Sequence, residues 1–382
     1  MNLLNINNIL GREEKIFYNI NKNFFKNYKI LVLGASGSIA SSFIIKLQEF
    51  DFKELILVDK NENDLTKLSR KIEVSKKNKC IFLCFDINKI STSFYNRFKK
   101  CKKIMIFNFA ALKHVRSEVY EESLINMFQT NLQSPFLIFD KISKVGKVDL
   151  FFSISTDKAA NPMNYMGASK RLSEYFLGLM KKKYPLTRII STRFPNVLFS
   201  QGSISESIYE NTINKNLYGI PKNIKRYFIS ENEATSIIFS SLELEFDNCI
   251  TYPTKKLYGK SIDIVDLANR ITKSINYKIV FVKNTNQFSE SSMRNNRSYA
   301  TLSKPTSGEK KIEKFYSTNE VIYKTNNIFL KKIKFPSNRK LNNEFNILLK
   351  KKILSKLFFL NLSNKLDEFK YIQHNKNLFQ IK

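Results

Sequence analysis

Three consecutive residues, Thr156, Asp157 and Lys158, carry the groups in this chain that are best suited to acid–base chemistry. A hydroxyl can hold a substrate oxygen, and a carboxyl can donate a proton. An amine can accept a proton if neighbouring cations and partial burial lower its pKa. A second lysine, Lys170, follows twelve residues later. The pattern favours a catalytic site, although Thr156 and Asp157 could also serve only as a cap on the turn after a strand.

A second stretch, Gly34-Ala35-Ser36-Gly37-Ser38-Ile39-Ala40, has the residue types that a dinucleotide site needs. Gly34 permits a tight turn, and Gly37 permits backbone amides to approach a pyrophosphate at the start of a helix. Asp59 follows about twenty residues later and can accept hydrogen bonds from an adenosine ribose. Its charge would repel a 2′-phosphate and favours NAD over NADP, although Lys60 weakens that preference. The alternative is an ordinary tight turn.

These residues need a scaffold that brings distant segments to one edge. Short apolar runs alternate with segments of helical periodicity, and this predicts a parallel sheet with helical crossovers. The predicted strands are 29–33, 54–58, 80–85, 104–107, 148–154 and 187–192. The predicted helices are 38–50, 61–74, 121–143 and 164–182. Right-handed crossovers then make this α/β chain a Rossmann-type doubly wound sheet.

The same rhythm divides the chain. Residues 1–28 form an N-terminal arm, and residues 29–195 form the dinucleotide-binding Rossmann domain. After that the segments become short and mixed, so residues 196–335 are predicted to be mainly a smaller substrate-binding subdomain. Within them, 284–307 is rich in Asn, Ser and Thr and is predicted to be a loop. Residues 336–382 form a basic tail with helical character.

Charge sets this composition apart. The 382 residues include 64 Lys and Arg and 33 Asp and Glu, a net charge of +31 at pH 7. Such a charge suggests a polyanionic partner. The alternative is a drift of the whole composition, because Lys, Asn, Ile and Phe are abundant throughout. Part of the charge is local, since residues 323–382 carry a net +11.

Other features exclude several classes of protein. A hydrophobic content of 43% can build a core and excludes global disorder. Four cysteines and two histidines indicate neither a disulfide framework nor a metal site. The sequence shows no apolar run long enough for a membrane span and no cleavable leader. We therefore expect a soluble, cytoplasmic protein.

A set of motifs spreads from about residue 7 to residue 320. They are Leu10-Gly11-Arg12-Glu13, Ala110-Ala111-Leu112-Lys113-His114-Val115, Ser155-Thr156-Asp157-Lys158-Ala159-Ala160-Asn161-Pro162, Gly167-Ala168-Ser169-Lys170-Arg171, Arg193-Phe194-Pro195-Asn196-Val197-Leu198, Gly202-Ser203, Arg226-Tyr227-Phe228 and Gly308-Glu309-Lys310. Together they resemble the extended short-chain dehydrogenase/reductases. More closely, they resemble the UDP-N-acetylglucosamine 4,6-dehydratases of the CapD-like polysaccharide biosynthesis family.

The resemblance implies a reaction. A hydride leaves C4 of a UDP-N-acetylglucosamine, water is eliminated across C5 and C6, and the hydride returns to C6. The product is a UDP-4-keto-6-deoxy sugar for surface polysaccharide or glycan synthesis, and some members also invert C5. The cofactor is NAD, with NADP as the alternative, and the substrate is a UDP-sugar. The resemblance also implies a homo-oligomer formed through the helices after the fourth and fifth strands.

The resemblance also assigns roles. Thr156 binds the C4 oxygen, Asp157 protonates the departing C6 hydroxyl, and Lys158 removes the C5 proton. Lys170 holds the nicotinamide ribose.

One position departs from the general pattern, because Met166 stands where most short-chain dehydrogenases have a catalytic tyrosine. A subgroup of the CapD-like family shares this methionine. Three candidates for the base at the C4 hydroxyl stay open: Asp157, the neighbouring Tyr165, and a water linked to Lys170.

Further contacts follow from the matched motifs. Cofactor contacts beyond the glycine loop and Asp59 are predicted at Asp86, Ile87, Ala110, Ala111, Lys113 and Asn131. Substrate contacts are predicted at Lys113, His114, Arg193, Asn196, Gly202, Ser203, Arg226 and Glu309. For the cations Lys113, Arg193 and Arg226, a solvated surface charge is the alternative. The motifs depart from the family at Pro195, Phe199, Gln201, Thr306 and Ser307.

Two rival functions remain. A 4-epimerase or reductase would use the same fold, but would not need the Asp157–Lys158 pair for elimination. A chain that has lost catalysis would bind NAD(P) and use its basic surface on nucleic acid or anionic lipid. The dehydratase is the leading interpretation, with no nucleic acid expected as a partner.

Overall fold

The computed structural model describes residues 4–114, 118, 120–282, 296–305, 309–350 and 354–372. Its strands are β1 Lys29–Leu33, β2 Glu54–Asp59, β3 Cys80–Cys84, β4 Ile104–Asn108, β5 Val148–Thr156, β6 Arg188–Phe194, β7 Asn196–Val197, β8 Tyr218–Pro221, β9 Lys225–Arg226, β10 Phe228–Ile229, β11 Cys249–Pro253, β12 Ile262–Asp263, β13 Lys278–Phe281, β14 Arg297–Ser303, β15 Ile322–Tyr323 and β16 Leu330–Lys334. Its helices are α1 Ile6–Leu10, α2 Ser38–Leu47, α3 Glu62–Lys71, α4 Val74–Lys77, α5 Thr92–Asn96, α6 Glu121–Phe128, α7 Ser134–Val145, α8 Tyr165–Lys183, α9 Ile204–Ile213, α10 Glu231–Ser241, α11 Lys255–Tyr258, α12 Ile264–Ser274, α13 Asn342–Lys350 and α14 Lys356–Asn364.

Within these described residues, nine strands form a central sheet in the order β15-β16-β11-β6-β5-β4-β1-β2-β3. The strands from β11 to β3 are parallel, and the edge strands β16 and β15 are antiparallel. The order of the first six strands is that of a doubly wound Rossmann sheet. The predicted α/β fold is therefore confirmed. Helices cover both faces, which explains why the inner strands are continuous apolar runs.

All six predicted strands occur, with ends within two residues of the prediction. The predicted helix 121–143 is interrupted by a π-helical turn at Gln129–Gln133, and the predicted helix 61–74 breaks at Ile72, whose backbone is extended. The predicted loop 284–307 was wrong in part, because β14 lies inside it and pairs with β8 and β13. Only pairing with strands distant in sequence makes this hydroxyl-rich segment a strand. Within the predicted loop, residues 284–295 and 306–307 lie outside the described residues.

A second lobe contains β8, β13, β14, α9 and α12 around its own apolar cluster. Ile9 and Leu10 of the N-terminal arm are buried in this cluster. The segment predicted as the substrate-binding subdomain also gives β11, β15 and β16 to the central sheet. The boundaries 1–28, 29–195, 196–335 and 336–382 stay predictions.

The described part of the basic tail folds onto the Rossmann core. Helices α13 and α14 pack against α6, α7 and α8. The ring of Phe359 stacks on that of Phe128, with centroids 4.7 Å apart. Motif residues Val115 and Gly308, the departures Thr306 and Ser307, and residues 373–382 lie outside the described residues. Within the part of the chain that is described, no helix has both the length and the apolar character needed to cross a bilayer.

Candidate active site

The predicted site residues follow strands that end at one edge of the sheet. β1 ends at Leu33, β4 at Asn108, β5 at Thr156 and β6 at Phe194. The parallel register pairs Leu33 with Asn108 and Thr156 with Phe194. The loops after these strands therefore meet at the carboxyl edge, which is where open α/β sheets bind ligands.

The loop after β1 has the shape that a pyrophosphate needs. Gly34 has a φ of +72°, and a Cβ there would lie 2.6 Å from the backbone nitrogen of Ala110. Gly37 is the N-cap of α2 and provides no side-chain cap within the described structure. The first amides of α2 are thus suited to a phosphate, so these residues fit a dinucleotide. Ile39, Ala110 and Ala111 are half-buried around this loop.

Asp59 stabilises the same loop from the end of β2. Its Oδ2 accepts a hydrogen bond from the backbone nitrogen of Ser36 at 2.9 Å, and its Oδ1 accepts one from Asn61 at 3.0 Å. Ser38 Oγ accepts a hydrogen bond from the backbone nitrogen of Gln201 at 2.8 Å. Gln201, one of the departures from the family, therefore joins the second lobe to the dinucleotide loop. A contact of Asp59 with the ribose stays a prediction.

Asp86 and Ile87 lie after β3. Asp86 Oδ1 accepts a hydrogen bond from the backbone nitrogen of Asn88 at 2.9 Å and caps a short 3-10 turn. Ile87 is buried in the apolar cluster between the sheet and the helices. The structure gives both residues a local structural role, and their contact with an adenine stays a prediction.

Asn131 lies in the π-helical turn between α6 and α7 and is 1% exposed. Its Oδ1 accepts a hydrogen bond from the backbone nitrogen of Leu112 at 2.7 Å. Its Nδ2 donates to Leu112 O and Ser169 Oγ, each at 2.9 Å. These bonds join the segment after β4 to α8. The side chain thus positions the predicted cofactor contacts around it.

The predicted substrate contacts Lys113, His114, Gly202 and Ser203 come together near the start of α9. Lys113 Nζ lies 3.4 Å from Ser200 Oγ. Burial in this region lowers the pKa of Lys113, and the charge of Lys158 lowers it further. Gly202 has a φ of +70°, and a Cβ there would lie 2.7 Å from His114 Nε2. Ser203 caps α9. The loop before α9 therefore packs directly on the segment after β4.

The three consecutive residues of the predicted catalytic site lie in the turn after β5. Asp157 is 1% exposed. Its Oδ1 accepts hydrogen bonds from Thr156 Oγ1 at 2.9 Å and from Lys158 Nζ at 3.0 Å. Its Oδ2 is buried and has no hydrogen-bond partner among the described residues. Thr156 also caps the turn after β5, as the alternative interpretation proposed. The cap leaves the contacts among Thr156, Asp157 and Lys158 intact, so the residue can serve both purposes.

Lys158 was expected to act as a base if neighbouring cations and partial burial lower its pKa, and this condition is not met in the structure. Burial opposes its positive charge, but Asp157 and Glu313 outweigh that effect and raise the pKa of Lys158. The charge of the nearby Arg226 lowers the pKa of Lys158, but by less than the two carboxylates raise it. Lys158 is therefore an ammonium ion paired with Asp157 in this state.

Lys170 lies on the first turns of α8 and is 5% exposed. Its Nζ donates to the carbonyl of Ile154 in β5 at 3.1 Å. Burial lowers the pKa of Lys170 to about 8, although the charge of Glu174 partly restores it. This lysine can therefore exist as a neutral amine near neutral pH.

Met166 and Tyr165 begin α8, where Asn164 accepts the capping hydrogen bond from Gly167 N at 2.8 Å. Met166 is 3% exposed and packs in the core. The ring of Tyr165 packs against Tyr371, with centroids 4.5 Å apart. Burial raises the pKa of Tyr165, and Tyr371 raises it further. Near neutral pH Tyr165 is therefore a neutral phenol, and less of its basic form is present than of the Lys170 amine.

Arg193 does not fit its predicted role as a substrate contact. The residue is fully buried and forms ion pairs with Glu174 at 2.6 Å and Glu320 at 2.7 Å. Burial alone would raise the pKa of Glu320, but hydrogen bonds and charge from Arg193 lower it to about 2. The arginine therefore stabilises the junction of β6, α8 and the segment before β15.

Arg226 likewise contacts other residues of the protein and does not fit its predicted role as a substrate contact. Its side chain is 5% exposed and pairs with the predicted substrate contact Glu309 at 2.7 Å. It also donates to the carbonyl of Lys310 at 2.8 Å. Asn196 likewise bonds Tyr227, since its backbone nitrogen donates to Tyr227 O at 3.1 Å. These contacts tie the strand β9 and the segment after β6 to their neighbours in the fold.

Sequence reasoning missed several charged residues. Glu174 accepts a hydrogen bond from Ser155 Oγ at 2.7 Å and so lies beside the catalytic turn. Its spacing of one helical turn from Lys170 was the available signal. Glu313 and Glu320 had no such signal, because only the fold brings them to α8 and Lys158. Glu118 is buried and accepts a hydrogen bond from Met166 N at 2.7 Å. Burial raises its pKa to about 7.

Comparisons with known proteins identify a family for this chain. A family model described as polysaccharide biosynthesis protein matches residues 30–332. The capsular polysaccharide biosynthesis protein CapD of Staphylococcus aureus is 29% identical over 254 residues, which cover 65% of this chain and 41% of CapD. The chain thus spans about two fifths of that relative's length. A UDP-N-acetylglucosamine 4,6-dehydratase (inverting) of Campylobacter jejuni is 23% identical, covering 68% of this chain and 75% of that protein.

Solved structures share the fold. The X-ray structure of Pen from Bacillus thuringiensis superposes with a TM-score of 0.63 and 21% identity, covering 87% of this chain and 100% of Pen. The Bordetella bronchiseptica enzyme WbmF, in complex with NAD+ and UDP, has a TM-score of 0.54 and 13% identity. The match covers 68% of this chain and 80% of WbmF.

Proposed function

The chain belongs to the polysaccharide biosynthesis protein family, and we propose that it is a nucleotide-sugar 4,6-dehydratase. The proposed reaction converts UDP-N-acetylglucosamine to a UDP-4-keto-6-deoxy sugar, for surface polysaccharide or glycan synthesis. The observation that carries the proposal is the Asp157–Lys158 ion pair at the carboxyl edge of the sheet. One buried carboxylate oxygen of Asp157 has no hydrogen-bond partner among the residues that the structure describes. An elimination needs both an acid and a base, and this pair supplies both.

A single proton transfer within the Asp157–Lys158 pair would give the acid and the base that the elimination needs. Moving the proton from Lys158 Nζ to Asp157 Oδ1, over 3.0 Å, leaves a neutral amine beside a carboxylic acid. Lys158 then removes the C5 proton, while Asp157 protonates the C6 hydroxyl, which departs as water. The step leaves Lys158 protonated and Asp157 ionised, which is the ion pair that the structure contains. Covering the pair with substrate favours the transfer, because exclusion of water penalises both charges.

Oxidation at C4 needs a base as well. NAD, when bound, would accept the hydride from C4 and return it at C6. Thr156 would hold the C4 oxygen, and Lys170, acting through a water, would accept the hydroxyl proton. Its pKa of about 8 suits that transfer better than the raised pKa of Tyr165.

Several elements would hold the ligands. The glycine loop and Asp59 suit the pyrophosphate and adenosine ribose of NAD. Lys113 and His114 lie where the loop before α9 meets the segment after β4, and we propose that they contact the UDP-sugar. The name of the Campylobacter relative and the NAD+ and UDP in the WbmF complex support both ligands. A homo-oligomeric state and a cytoplasmic location stay predictions.

The test is incubation of the purified protein with NAD+ and UDP-N-acetylglucosamine, followed by mass spectrometry. We expect the nucleotide sugar to lose one water. A 4-epimerase would leave the mass unchanged, and so would a reductase, because reduction needs NADH and a keto sugar and this incubation contains neither. The proposal is wrong if no UDP-N-acetylhexosamine loses water.

A further inference from the structure

The end of the described chain crosses the loop that joins β5 to α8. The backbone nitrogen of Lys370 donates to Pro162 O at 3.1 Å, and that of Ile372 donates to Met163 O at 3.2 Å. The loop follows Lys158 and leads directly into the first turn of α8. Backbone carbonyls that would otherwise face water are thus bonded to a distant segment.

Aromatic contacts extend this junction into α8. The ring of Tyr165 lies 4.5 Å from that of Tyr371 and 5.5 Å from that of Phe369, measured between centroids. α8 also packs tightly on the catalytic turn, because a Cβ on Gly167 would lie 2.9 Å from Lys158 O. A displacement of the first turn of α8 would therefore move the backbone of Lys158.

A charged network forms a second link between the same parts. Glu368 pairs with Arg171, which follows Lys170 directly, and Arg171 pairs with Glu174 at 3.1 Å. Glu174 in turn accepts the hydrogen bond from Ser155, the neighbour of Thr156. The side chains of Arg171, Glu174 and Glu368 are at most 13% exposed, so the pairs are poorly screened.

The segment is itself anchored. Leu366 is 2% exposed, and Asn338 Nδ2 donates to Lys365 O at 3.0 Å. Upstream, Phe359 is fully buried against Phe128. A fixed segment can hold a loop in one position, whereas a loosely attached segment cannot.

We propose that residues 366–372, here called the strap, position the catalytic turn and the start of α8 for the reaction. Lys370 and Tyr371 are positioning residues that act through Pro162 and Tyr165. The catalytic part of this inference rests on the proposed function. Catalytic groups must be held within about 0.5 Å of their productive geometry. Loss of the strap would therefore loosen both the catalytic turn and the first turns of α8.

The test compares two substitutions at one position in the full-length protein. Lys370→Pro removes the backbone N–H that bonds Pro162, whereas Lys370→Ala removes only the side chain. We expect Lys370→Pro to speed hydrogen–deuterium exchange in residues 160–168 and to leave β1 unchanged. We expect kcat for dehydration to fall roughly tenfold to a hundredfold, with KM within about twofold. Lys370→Ala should match the wild type in both measurements.

A second pair keeps the test informative if the proline variant does not fold. Tyr371→Ala removes the ring that packs against Tyr165, and Tyr371→Phe keeps a ring there. The alanine variant should show the same faster exchange and lower kcat, and the phenylalanine variant should restore both.

If hydrogen–deuterium exchange in residues 160–168 of Lys370→Pro or Tyr371→Ala matched the wild type, the proposal that the strap holds this loop would be wrong. An unchanged kcat in an active protein would overturn its role in positioning. If the wild type dehydrates no UDP-sugar but the exchange difference persists, the proposed function fails and the strap's hold on the loop stands.

Discussion

Asp157 combines features that a merely structural carboxylate rarely has. It is buried, it bridges a hydroxyl and an ammonium group through one oxygen, and its second oxygen has no hydrogen bond among the described residues. Burying an acceptor without a partner costs about 1–3 kcal/mol. A substrate hydroxyl at this oxygen would supply the missing donor. The unfavourable burial of this oxygen therefore favours a carboxylate that binds a ligand.

Asp157→Asn should abolish the acid while nearly preserving the shape of the side chain. We expect kcat for dehydration to fall about 10²–10⁴-fold, with NAD+ affinity unchanged, since general acid catalysis contributes a factor of this size. Turnover by mass spectrometry and a cofactor titration measure the two effects. Asp149→Asn, at the opposite end of β5, is the control and should keep full activity. An active Asp157→Asn variant would contradict the assigned role.

Lys170 predicts how activity depends on pH. Because burial lowers its pKa to about 8, the lysine is an ammonium below pH 8 and an amine above it. If the amine accepts the C4 proton, kcat should rise with pH and level off above about pH 8. Lys170→Arg stays charged and should be nearly inactive at every pH. Lys182→Arg, an exposed site on the same helix, should keep the wild-type profile. A flat wild-type profile would refute this.

The loop between β1 and α2 shows how an element fixes a site. Its left-handed glycine allows the chain to turn against the segment after β4, and Asp59 then bonds the loop from β2. Among the residues that the structure describes, no side chain caps the start of α2, so its first amides are available to a phosphate. A longer or capped turn would direct the same helix at the same edge without leaving amides for a phosphate.

Gly34→Ala should disturb this element more than an ordinary glycine substitution. The positive φ alone costs about 1–2 kcal/mol for an L-residue, and the added Cβ would meet Ala110. We expect a lower free energy of unfolding in urea and weak NAD+ binding. Gly219→Ala in β8 is the control, because its Cβ would make only ordinary contacts, the nearest at 3.6 Å. Normal NAD+ binding by Gly34→Ala would contradict this account.

On the scale of the molecule, the basic tail contributes some of its positive charges to ion pairs within the protein. Several of its basic residues form ion pairs with the rest of the chain or within the tail, as Lys356 does with Glu121. Its apolar residues cover α6, α7 and α8. This is the surface through which the family resemblance implies assembly.

Phe359→Ala tests how strongly the tail is bound. Removing a fully buried aromatic side chain from a packed core typically costs about 3–5 kcal/mol. We expect a loss of that size in the free energy of unfolding, measured in urea. Leu357→Ala, on the same helix but 65% exposed, should change it little. Equal stability of the two variants would mean that the tail is not docked on the core in solution.

The sequence by itself determined the strands, the doubly wound order of the sheet and the glycine loop, because these depend on local periodicity and on the steric needs of single residues. It also located the Thr156–Lys158 turn. It could not determine which charges face the site. Only the tertiary structure assigned Arg193 and Arg226 to internal ion pairs and placed Glu313 beside Lys158. These outcomes depend on contacts between residues far apart in the chain, such as the 83 positions between Arg226 and Glu309 and the 127 between Arg193 and Glu320. No local pattern encodes the distances between such residues.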